Sequence, residues 1–452
     1  MSAWLPELLQ ALPEGAVVSD RDVLESYARD HARLVPAGQA TALVRARSVE
    51  HVITTLRFAN ERRIPVVTRG AGTGLSGGAN ALDGCIQLSV ADMRRILRVD
   101  PIGRSATVEP GVLNGELAAE ALGHGLFYAP DPASRDISSI GGNIATNAGG
   151  ACCLKYGVTG DHVLALKAVL ADGTLIRAGS LAQKNVAGLD LKRLLVGSEG
   201  TLAVVVEATL RLLPKPRPAS TLVAYFQSLH SAGAAIEAMD SLDLSLTEIM
   251  DRTTLRAVER HAHLELDTTA AAMVLVQSDA SDAEAVIARC EALCGQHAAY
   301  DVMLSSNAEE GRLLLQARSM AYPALERMGA TLLDDVAVPK QNLTEMLVRC
   351  EAISESHGLT IGTFGHAGDG NLHPTIVFDG QSAESQARAY AAFDEILHAA
   401  IKLGGTITGE HGVGALKLAQ LEPMVGSSER ALMTRVKLAF DPRGILNPGR
   451  GL

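Results

Sequence analysis

The chain has 452 residues, of which 47% are hydrophobic and 20% charged, and its formal net charge is −11. This length exceeds what one hydrophobic core organises and predicts a soluble globular protein of two or three domains. The negative charge and the absence of a long basic run exclude a nucleic-acid partner. No apolar stretch reaches the roughly 18 residues of a transmembrane helix, so none is predicted.

The N-terminal segment and the cysteines indicate a reducing, cytoplasmic setting. MSAWLPELLQALPEG lacks a basic region followed by a long apolar core, so no secretory signal is predicted. The six cysteines form no C-x-x-C pair, which argues against a disulfide framework, a zinc ribbon or an iron–sulfur cassette. We therefore expect a cytoplasmic chain that carries no iron–sulfur relay of its own.

The first half of the chain predicts short strands, a helix and glycine-rich loops. TALVRA predicts a strand, and Ser48 is positioned to cap a helix whose apolar residues keep helical spacing. Further strands are predicted in IPVVTRG, CIQLSV, RSATVEPG, LKAVLADGTLIRAG and GTLAVVVEATLRLLP. The proline-rich segment 214–218 is the predicted linker to the second half.

The loop RGAGTGLSGG, residues 69–78, contains the pattern G-x-G-x-x-G, and Asp100 follows at the spacing of a Rossmann ribose contact. That interpretation requires a helix directly after the loop. The following residues, GANALDGCIQLSV, show an Asp-Gly turn and an alternating strand instead. We therefore reject a Rossmann dinucleotide site.

Two further segments are rich in small residues: PDPASRDISSIGGNIATNAGG, residues 130–150, and GLDLKRLLVGSEGTLAVV, residues 188–205. Each of the three segments is compatible with ordinary tight turns. Together they favour loops whose backbone N–H groups pack against a large cofactor and wrap its pyrophosphate.

The second half predicts an α+β domain. Helices are predicted in SAGAAIEAMDSL, AEAVIARCEAL and SQARAYAAFDEILHAAIKLG, and strands in AAMVLVQSD, TIGTFG, PTIVFDG and TITGE. The tail FDPRGILNPGRGL is rich in residues that form turns.

The segment FGHAGDGNLHPTIVF predicts a hairpin that presents two histidines. With Asp369 and Gly370 as a two-residue turn, His366 and His373 face each other with Cβ atoms about 5 Å apart. Glu410, at the end of the predicted strand TITGE, supplies a carboxylate. His366, His373 and Glu410 then form a His₂-carboxylate metal site with an open position. The alternative is that each histidine is a satisfied polar group on a strand.

The order RGAGTGLSGG, IGGNIATNAGG, KYG, LADG, GSEGTL closely resembles the FAD-binding domain of the vanillyl-alcohol oxidase and p-cresol methylhydroxylase superfamily. The second half resembles the FAD-linked oxidase C-terminal domain. The resemblance extends over residues 5–450. It points to the branch of glycolate oxidase flavin subunits, D-lactate dehydrogenases and D-2-hydroxyglutarate dehydrogenases.

The resemblance implies an α+β fold. Residues 1–215 would form a p-cresol methylhydroxylase-type FAD-binding domain of two α/β subdomains. Residues 216–430 would form an α+β substrate domain with an antiparallel sheet, and residues 431–452 a tail that returns to the flavin.

The resemblance also implies which residues bind FAD. The pyrophosphate would be held by Gly70, Ala71, Gly72, Thr73, Gly74 and Leu75. The flavin and ribityl chain would be lined by Pro130, Asp131, Ser134, Gly141, Gly142, Asn143, Thr146 and Gly149. Gly200 and Val205 would flank the adenine half, and Asn447 would approach the isoalloxazine. Many members tether the flavin through a histidine in the first loop; Thr73 stands here, so we expect non-covalent FAD.

The same resemblance assigns the metal ligands to His366, His373 and Glu410, with a divalent cation of the Zn or Mn type, and substrate carboxylate binding to Arg318. By sequence alone, a surface arginine on a helix is the favoured interpretation of Arg318. A metal lowers the pKa of a bound substrate hydroxyl, and we expect His411, next to Glu410, to take its proton. Leu333 and Thr375 stand where hydroxyglutarate enzymes carry Lys and Asn.

We therefore predict an FAD-dependent enzyme that oxidises a small D-2-hydroxy acid, glycolate or D-lactate, to the 2-oxo acid. The alternatives are a flavin subunit that is active only within a multi-subunit glycolate oxidase, and a D-2-hydroxyglutarate dehydrogenase. A third class is a structural module in which the two histidines hold a closed metal site. The electron acceptor is unknown, with an iron–sulfur or electron-transfer protein as candidates, and a homodimer is compatible with the sequence.

Overall fold

The computed structural model describes residues 2–182 and 184–452, which form two compact units. Unit 1 contains the chain up to Gly149, Gly157–Lys215 and Glu410–Leu452, and unit 2 contains Gly150–Tyr156 and Pro216–Gly409. Unit 1 is interrupted at Lys215, within the predicted linker, and resumes at Glu410, whereas the sequence assigned residues 216–430 to one domain. The assignment of cofactor and substrate roles to these ranges stays a prediction.

Unit 1 contains short strands and helices, numbered here along the whole chain. Its strands are β1 Val17–Val18, β2 Ala42–Arg45, β3 Val66–Arg69, β4 Ile86–Ser89, β5 Ile96–Asp100, β6 Ser105–Val108, β7 Leu126–Phe127, β8 Val163–Val169, β9 Leu175–Gly179, β10 Val204–Arg211 and β11 Leu213–Pro214. Its helices are α1 Leu5–Ala11, α2 Arg21–Tyr27, α3 Val49–Arg62, α4 Asn114–Gly123, α5 Ile140–Thr146, α7 Thr159–His162, α8 Leu191–Leu195, α16 Leu418–Val425 and α17 Ser427–Phe440.

A four-stranded sheet of order β1-β2-β4-β3 begins unit 1, with β4 parallel to both β2 and β3. The Ser48 hydroxyl accepts a hydrogen bond from the His51 N–H, so the predicted N-cap begins α3. Val52 and Leu56 of α3 are fully buried in the core of this sheet. In the part of the chain that the structure describes, no helix lies between β3 and β4, which agrees with rejecting a Rossmann site.

A five-stranded antiparallel sheet of order β5-β6-β10-β8-β9 forms the second layer of unit 1, and β7 pairs with β11. The C-terminal tail lies along the first sheet, where Leu446 forms a parallel bridge with Val66 of β3. The tail is therefore part of the packed structure of unit 1.

The second and third glycine-rich segments are not loops throughout, as the sequence analysis treated them. The second contains α5, whose N-cap hydroxyl at Ser139 accepts a hydrogen bond from the Gly142 N–H. The third contains α8, where the Asp190 side chain accepts from the Arg193 N–H. In each case a side-chain cap stabilises a helix of less than two turns. The capping residue is a sequence signal for this helix, but it is hard to recognise among so many small residues.

Unit 2 is built on longer strands. They are β12 Ser220–Phe226, β13 Leu246–Asp251, β14 Ala272–Ser278, β15 Ala299–Ser305, β16 Ala330–Leu333, β17 Val336–Ala337, β18 Thr360–His366 and β19 Asn371–Phe378. The helices are α6 Cys153–Tyr156, α9 Leu229–Met239, α10 Arg252–Ala262, α11 Ala283–Gln296, α12 Ala308–Ser319, α13 Ala321–Glu326, α14 Leu343–His357 and α15 Ala383–Lys402, with a 3₁₀ turn at Lys340–Asn342.

These strands form one antiparallel sheet of order β15-β12-β14-β13-β18-β19-β16, and β17 also pairs with β19. The helices α10, α12 and α13 contribute to the hydrophobic cluster that covers one face. The helices and antiparallel sheets of the two units confirm the predicted α+β fold class.

The predicted strand TITGE is wrong. Within the described residues, the β-pairing of this segment is limited to an isolated bridge between Thr406 and Ala337. The N–H of Gly409 donates to the carboxylate of Asp335 at 3.0 Å, so a side chain replaces the neighbouring strand as the acceptor. A buried carboxylate that accepts backbone N–H groups cannot be recognised from the residues that donate to it.

No helix among the described residues combines the length and the hydropathy that crossing a membrane requires.

The turn between β18 and β19 depends on Gly370, which has φ +83°. A Cβ atom there would lie 2.2 Å from the Val338 carbonyl oxygen. We expect Gly370→Ala to lower the free energy of unfolding by at least about 1–2 kcal/mol, the cost of the left-handed conformation, before the clash is added. Chemical unfolding followed by circular dichroism measures this change.

Gly295 is a matched control in the same unit, because it lies within α11 and a Cβ there meets no atom within 4 Å. Gly295→Ala should leave the stability unchanged or raise it by up to about 1 kcal/mol. A Gly370→Ala variant as stable as the wild type would contradict the role given to this turn.

Candidate active site

The first glycine-rich loop of unit 1 approaches the N-terminus of α5. The Ser139 hydroxyl accepts hydrogen bonds from the N–H groups of Ala71, at 3.3 Å, and Gly142, at 3.4 Å. A Cβ atom on Gly70 would lie 2.3 Å from the Ser139 hydroxyl oxygen. The sequence requires glycine at position 70 because the two segments approach so closely.

The helix α5 carries four of the predicted FAD residues: Gly141, Gly142, Asn143 and Thr146. Asn143 is 4% exposed, and its amide nitrogen Nδ2 has no hydrogen-bond partner within the described residues. An unpaired buried amide N–H is costly in a native protein, and it points to a missing acceptor.

The third segment joins the C-terminal end of α5 through its backbone. The N–H of Gly197 donates to the Ile144 carbonyl at 2.9 Å, and the N–H of Glu199 donates to the Ala145 carbonyl at 2.8 Å. Gly200 lies beside β3, since a Cβ there would be 3.8 Å from the Thr68 Cβ. The three predicted cofactor segments are therefore connected to one another within unit 1.

The Glu199 carboxylate holds the glycine-rich turn that follows His411. Its two oxygens accept from the N–H groups of Val413 and Gly414, each at 2.8 Å. Burial raises the pKa of Glu199, and these two hydrogen bonds oppose the shift. The Ser76 hydroxyl, at the end of the first loop, donates to the His411 carbonyl at 3.2 Å.

Asn447 attaches the C-terminal tail to the same region. Its N–H donates to the Val66 carbonyl at 2.8 Å, and its side-chain Nδ2 donates to the carbonyls of Gly78, at 3.0 Å, and Glu199, at 2.8 Å. Its amide oxygen has no hydrogen-bond partner within the described residues. Asn447 therefore links the first loop, the third segment and the tail.

The remaining predicted FAD residues lie in unit 1 outside these hydrogen bonds. Pro130 is buried, and its carbonyl accepts from the Asn114 side chain at 3.1 Å. Val205 lies in β10, opposite Ala168 of β8. Gly149 is buried and follows α5. The others are partly exposed loop residues: Gly72, Thr73, Gly74, Leu75, Asp131 and Ser134.

In unit 2, the hairpin carries both histidines, but its predicted register is wrong. The loop has four residues, 367–370, so His366 pairs with Asn371 and His373 pairs with Phe364. Asp369 does not take the positive φ that a two-residue type I′ turn needs at both central positions. The histidines are instead diagonal neighbours on one face, with ring centroids 5.2 Å apart.

Glu248 of β13 lies directly opposite His366 and is 1% exposed. Its Oε1 lies 2.6 Å from His366 Nδ1. Its Oε2 lies 2.6 Å from Arg318 Nε. This contact is ionic, because the Nε–H group does not point at the oxygen as a hydrogen bond requires. The Arg318 guanidinium also lies 4.7 Å from the centre of the Phe364 ring. The predicted carboxylate-binding arginine and one predicted metal ligand therefore share one buried acid.

Asp335 has the corresponding position beside His373. It is fully buried, and its Oδ1 lies 3.6 Å from His373 Nδ1. The carboxylate accepts from Asn371 Nδ2 and from the Thr408 hydroxyl, both at 2.8 Å, and from the Gly409 N–H. These hydrogen bonds compensate for the desolvation of the charge.

Glu410 and His411 are the first two residues of the last segment of unit 1. The residue before them, Gly409, is held by the hydrogen bond from its N–H to Asp335. Glu410 Oε1 lies 3.5 Å from His411 Nε2, and both side chains are partly buried. The backbone of this short stretch is therefore held at Gly409 by Asp335 and at His411 by Ser76.

The two residues that distinguish the chain from the hydroxyglutarate pattern are cross-strand neighbours. Leu333 of β16 lies opposite Thr375 of β19. Thr375 is two residues from His373 on the same strand, so the two side chains point to one face. Leu333 packs against the hydrophobic cluster of unit 2. Neither position therefore places a charged side chain on this face beside His373.

Sequence reasoning missed Glu248 and Asp335. Each lies among hydrophobic residues, in the segments SLTEIMD and LLDDVAV respectively, and each segment also holds a second acid. An acid on a buried strand is rare unless it is paired, and that signal was available. The partners, however, come from other strands, and the sequence does not reveal them.

Two family models match the chain. The model described as FAD linked oxidases, C-terminal domain, matches residues 215–450. The model described as FAD binding domain matches residues 40–179, a range that includes the first and second cofactor segments.

Similar proteins span nearly the whole chain. Glycolate oxidase subunit GlcD of Bacillus subtilis is 41% identical over 414 residues, which cover 90% of this chain and 88% of that protein. Glycolate oxidase subunit GlcD of Escherichia coli is 38% identical, with 91% of this chain and 83% of that protein covered. D-lactate dehydrogenase of Archaeoglobus fulgidus is 37% identical, with 92% of each chain covered.

The fold is also that of a solved structure. The crystal structure of p-cresol methylhydroxylase with substrate bound superimposes with a TM-score of 0.82 at 18% identity and covers 99% of this chain and 95% of that one. The family models, the relatives and this fold confirm the predicted superfamily. The chain therefore belongs to the FAD-linked oxidase family and is an FAD-dependent oxidoreductase.

Proposed function

We propose that the protein oxidises a small D-2-hydroxy acid, of the glycolate or D-lactate type, to the 2-oxo acid. The observation that carries this proposal is the contact of Arg318 and His366 with the two oxygens of Glu248. A cation suited to a carboxylate thereby lies on the same sheet face as two imidazoles suited to a metal. Relatives named glycolate oxidase subunit and D-lactate dehydrogenase support the same substrate class.

The residues of unit 1 fit a bound FAD. The first loop approaches Ser139 too closely for a side chain at position 70, which is typical of a loop that binds a pyrophosphate through its backbone. The Asn143 amide supplies a buried donor that lacks an acceptor in the protein. Thr73 replaces the histidine that would tether the flavin, so the cofactor is non-covalent.

In this proposal a divalent cation of the Zn or Mn type would be held by His366, His373 and Glu410. A metal-binding histidine commonly directs its second nitrogen at a carboxylate, which orients the ring. His366 and His373 each have Nδ1 near a buried acid, Glu248 and Asp335. Three protein ligands leave a position for substrate, which favours a catalytic site over the closed structural site.

The protein's own groups then have distinct roles. Arg318 binds the substrate carboxylate with its planar guanidinium. His411 accepts the proton of the substrate hydroxyl as the α-carbon is oxidised. Bound FAD would supply the acceptor for the hydride of the α-carbon, and a bound divalent cation would supply the positive charge that lowers the pKa of the hydroxyl.

The alternative function is that of a flavin subunit that works only with partner proteins. The names of the Bacillus subtilis and Escherichia coli relatives describe subunits of glycolate oxidase. The purified chain, assayed alone for reduction of an artificial dye, separates the two functions. Dye reduction by the chain alone favours the self-sufficient dehydrogenase, and activity only after addition of partners favours the subunit.

Asn143 tests the FAD site. If its amide donates to the cofactor, Asn143→Ala should weaken FAD binding about ten-fold, the effect of one buried hydrogen bond of about 1–1.5 kcal/mol. Fluorescence titration of the acid-extracted apoprotein measures the dissociation constant. Asn185→Ala, at an exposed loop position of the same unit, should leave it unchanged. Flavin that stays with the acid precipitate would refute a non-covalent cofactor.

Substitutions at Leu333 test the proposed preference for a small substrate. A panel of 2-hydroxy acids with an artificial electron acceptor should show higher kcat/KM for glycolate or D-lactate than for D-2-hydroxyglutarate. Leu333→Lys should shift this ratio towards hydroxyglutarate by roughly ten-fold, because a charge-assisted contact contributes about 1.5–3 kcal/mol. Leu333→Met keeps an apolar side chain and should keep the preference. A wild type that already prefers hydroxyglutarate would contradict the proposed substrate.

Variants at Glu410 and His411 distinguish the proposed metal ligand from the proposed base. Glu410→Ala should lose the divalent metal and retain FAD, because it alters none of the residues proposed to hold FAD. His411→Ala should retain both, yet reduce the flavin about 10²–10⁴-fold more slowly.

Metal analysis and stopped-flow flavin bleaching measure the two variants, and His398→Ala, an exposed imidazole on α15, is the control. Loss of metal in His411→Ala with metal retained in Glu410→Ala would show that the two roles are reversed.

A further inference from the structure

We infer that Glu248 is a positioning residue that couples the metal ligand His366 to the carboxylate-binding Arg318. This inference rests on the proposed function, which gives His366 and Arg318 their roles. It adds a residue that contacts neither substrate nor cofactor and acts on both through its two oxygens.

The position of Glu248 is fixed by the sheet. Antiparallel pairing places it directly opposite His366, on the same face as that imidazole. At 1% exposure, the carboxylate has lost its hydration and needs charged or hydrogen-bonding partners to remain stable. The partners are His366 Nδ1 and Arg318 Nε, each 2.6 Å from a different oxygen.

The first contact selects the nitrogen that His366 offers to a metal. A carboxylate accepts hydrogen bonds, so the short contact assigns the imidazole proton to Nδ1. The ligand atom is then Nε2, on the opposite edge of the ring, with its lone pair held in one direction. Without the acid, the contact that selects this tautomer and ring orientation is lost.

The second contact fixes the guanidinium. Arg318 reaches Glu248 through Nε, while its plane lies over the ring of Phe364. The two terminal amino groups, which bind carboxylates in a forked pair, are thereby left for the substrate. The charge of Arg318 balances that of Glu248, so a change at Arg318 alters the field that Glu248 exerts on His366.

The metal affinity of variants tests this coupling without turnover. Competition between the FAD-loaded protein and a chelator for Zn²⁺ or Mn²⁺ gives the dissociation constant of the metal. Glu248→Ala should weaken metal binding about 10–100-fold. Glu248→Gln should recover part of the loss, because the amide oxygen still accepts from Nδ1–H although it carries no charge.

A double-mutant cycle tests the link to the arginine. Arg318→Gln should change the metal affinity in the wild type and have a different effect in Glu248→Gln. The combined effect should depart from the product of the separate effects by about three-fold or more. Additive effects would overturn the coupling.

A purely structural role would lower the melting temperature without changing the metal affinity of the folded protein. Glu109→Gln is the matched control, because Glu109 is 5% exposed and pairs with Arg95 at 2.7 Å in unit 1. It should lower the melting temperature and leave metal binding unchanged.

Wild-type metal affinity in Glu248→Ala would overturn the inference, even if the enzyme oxidises 2-hydroxy acids as proposed. If the variants weaken metal binding as expected and no 2-hydroxy acid is oxidised by the wild type, the positioning role stands and the proposed substrate fails.

Discussion

The cost of burying a carboxylate determines the arrangement of the candidate metal site. Glu248 and Asp335 are almost completely removed from water, and a buried charge is stable only when other groups replace its hydration. The replacing groups are an imidazole and a guanidinium around Glu248, and an amide, a hydroxyl and a backbone N–H around Asp335. Both acids therefore fix the groups that surround them, and the histidines are oriented as a consequence.

Unit 1 is organised differently, by close packing of backbone segments against one another. The first loop and α5 share the Ser139 hydroxyl, the third segment binds the end of α5, and Asn447 joins the tail to both. Such closely packed backbone segments are typical of loops that bind a phosphate-bearing cofactor through N–H groups. Small residues are required here because a Cβ would occupy the space between the segments.

The stretch from Gly409 to Gly414 shows how an irregular segment can be well defined. A carboxylate holds its backbone at one end and Ser76 and Glu199 hold it at the other, so no regular pairing is needed. Glu410 and His411 lie between these anchors and differ in the roles proposed for them. In a strand, adjacent side chains must point to opposite faces. An irregular backbone does not impose this alternation.

The sequence by itself predicted the helix after Ser48 and many of the strands, because these depend on local periodicity and capping. The FAD-binding domain followed from the resemblance to a known superfamily. The sequence also placed two histidines on one hairpin. Only the tertiary structure decided their register, since a four-residue loop and a two-residue turn differ in backbone conformation rather than composition. Glu248, Asp335 and the irregular course of residues 405–409 likewise depended on partners distant in the chain. Pairing between distant residues is set by packing and by the need to satisfy buried charge, and local sequence does not encode it.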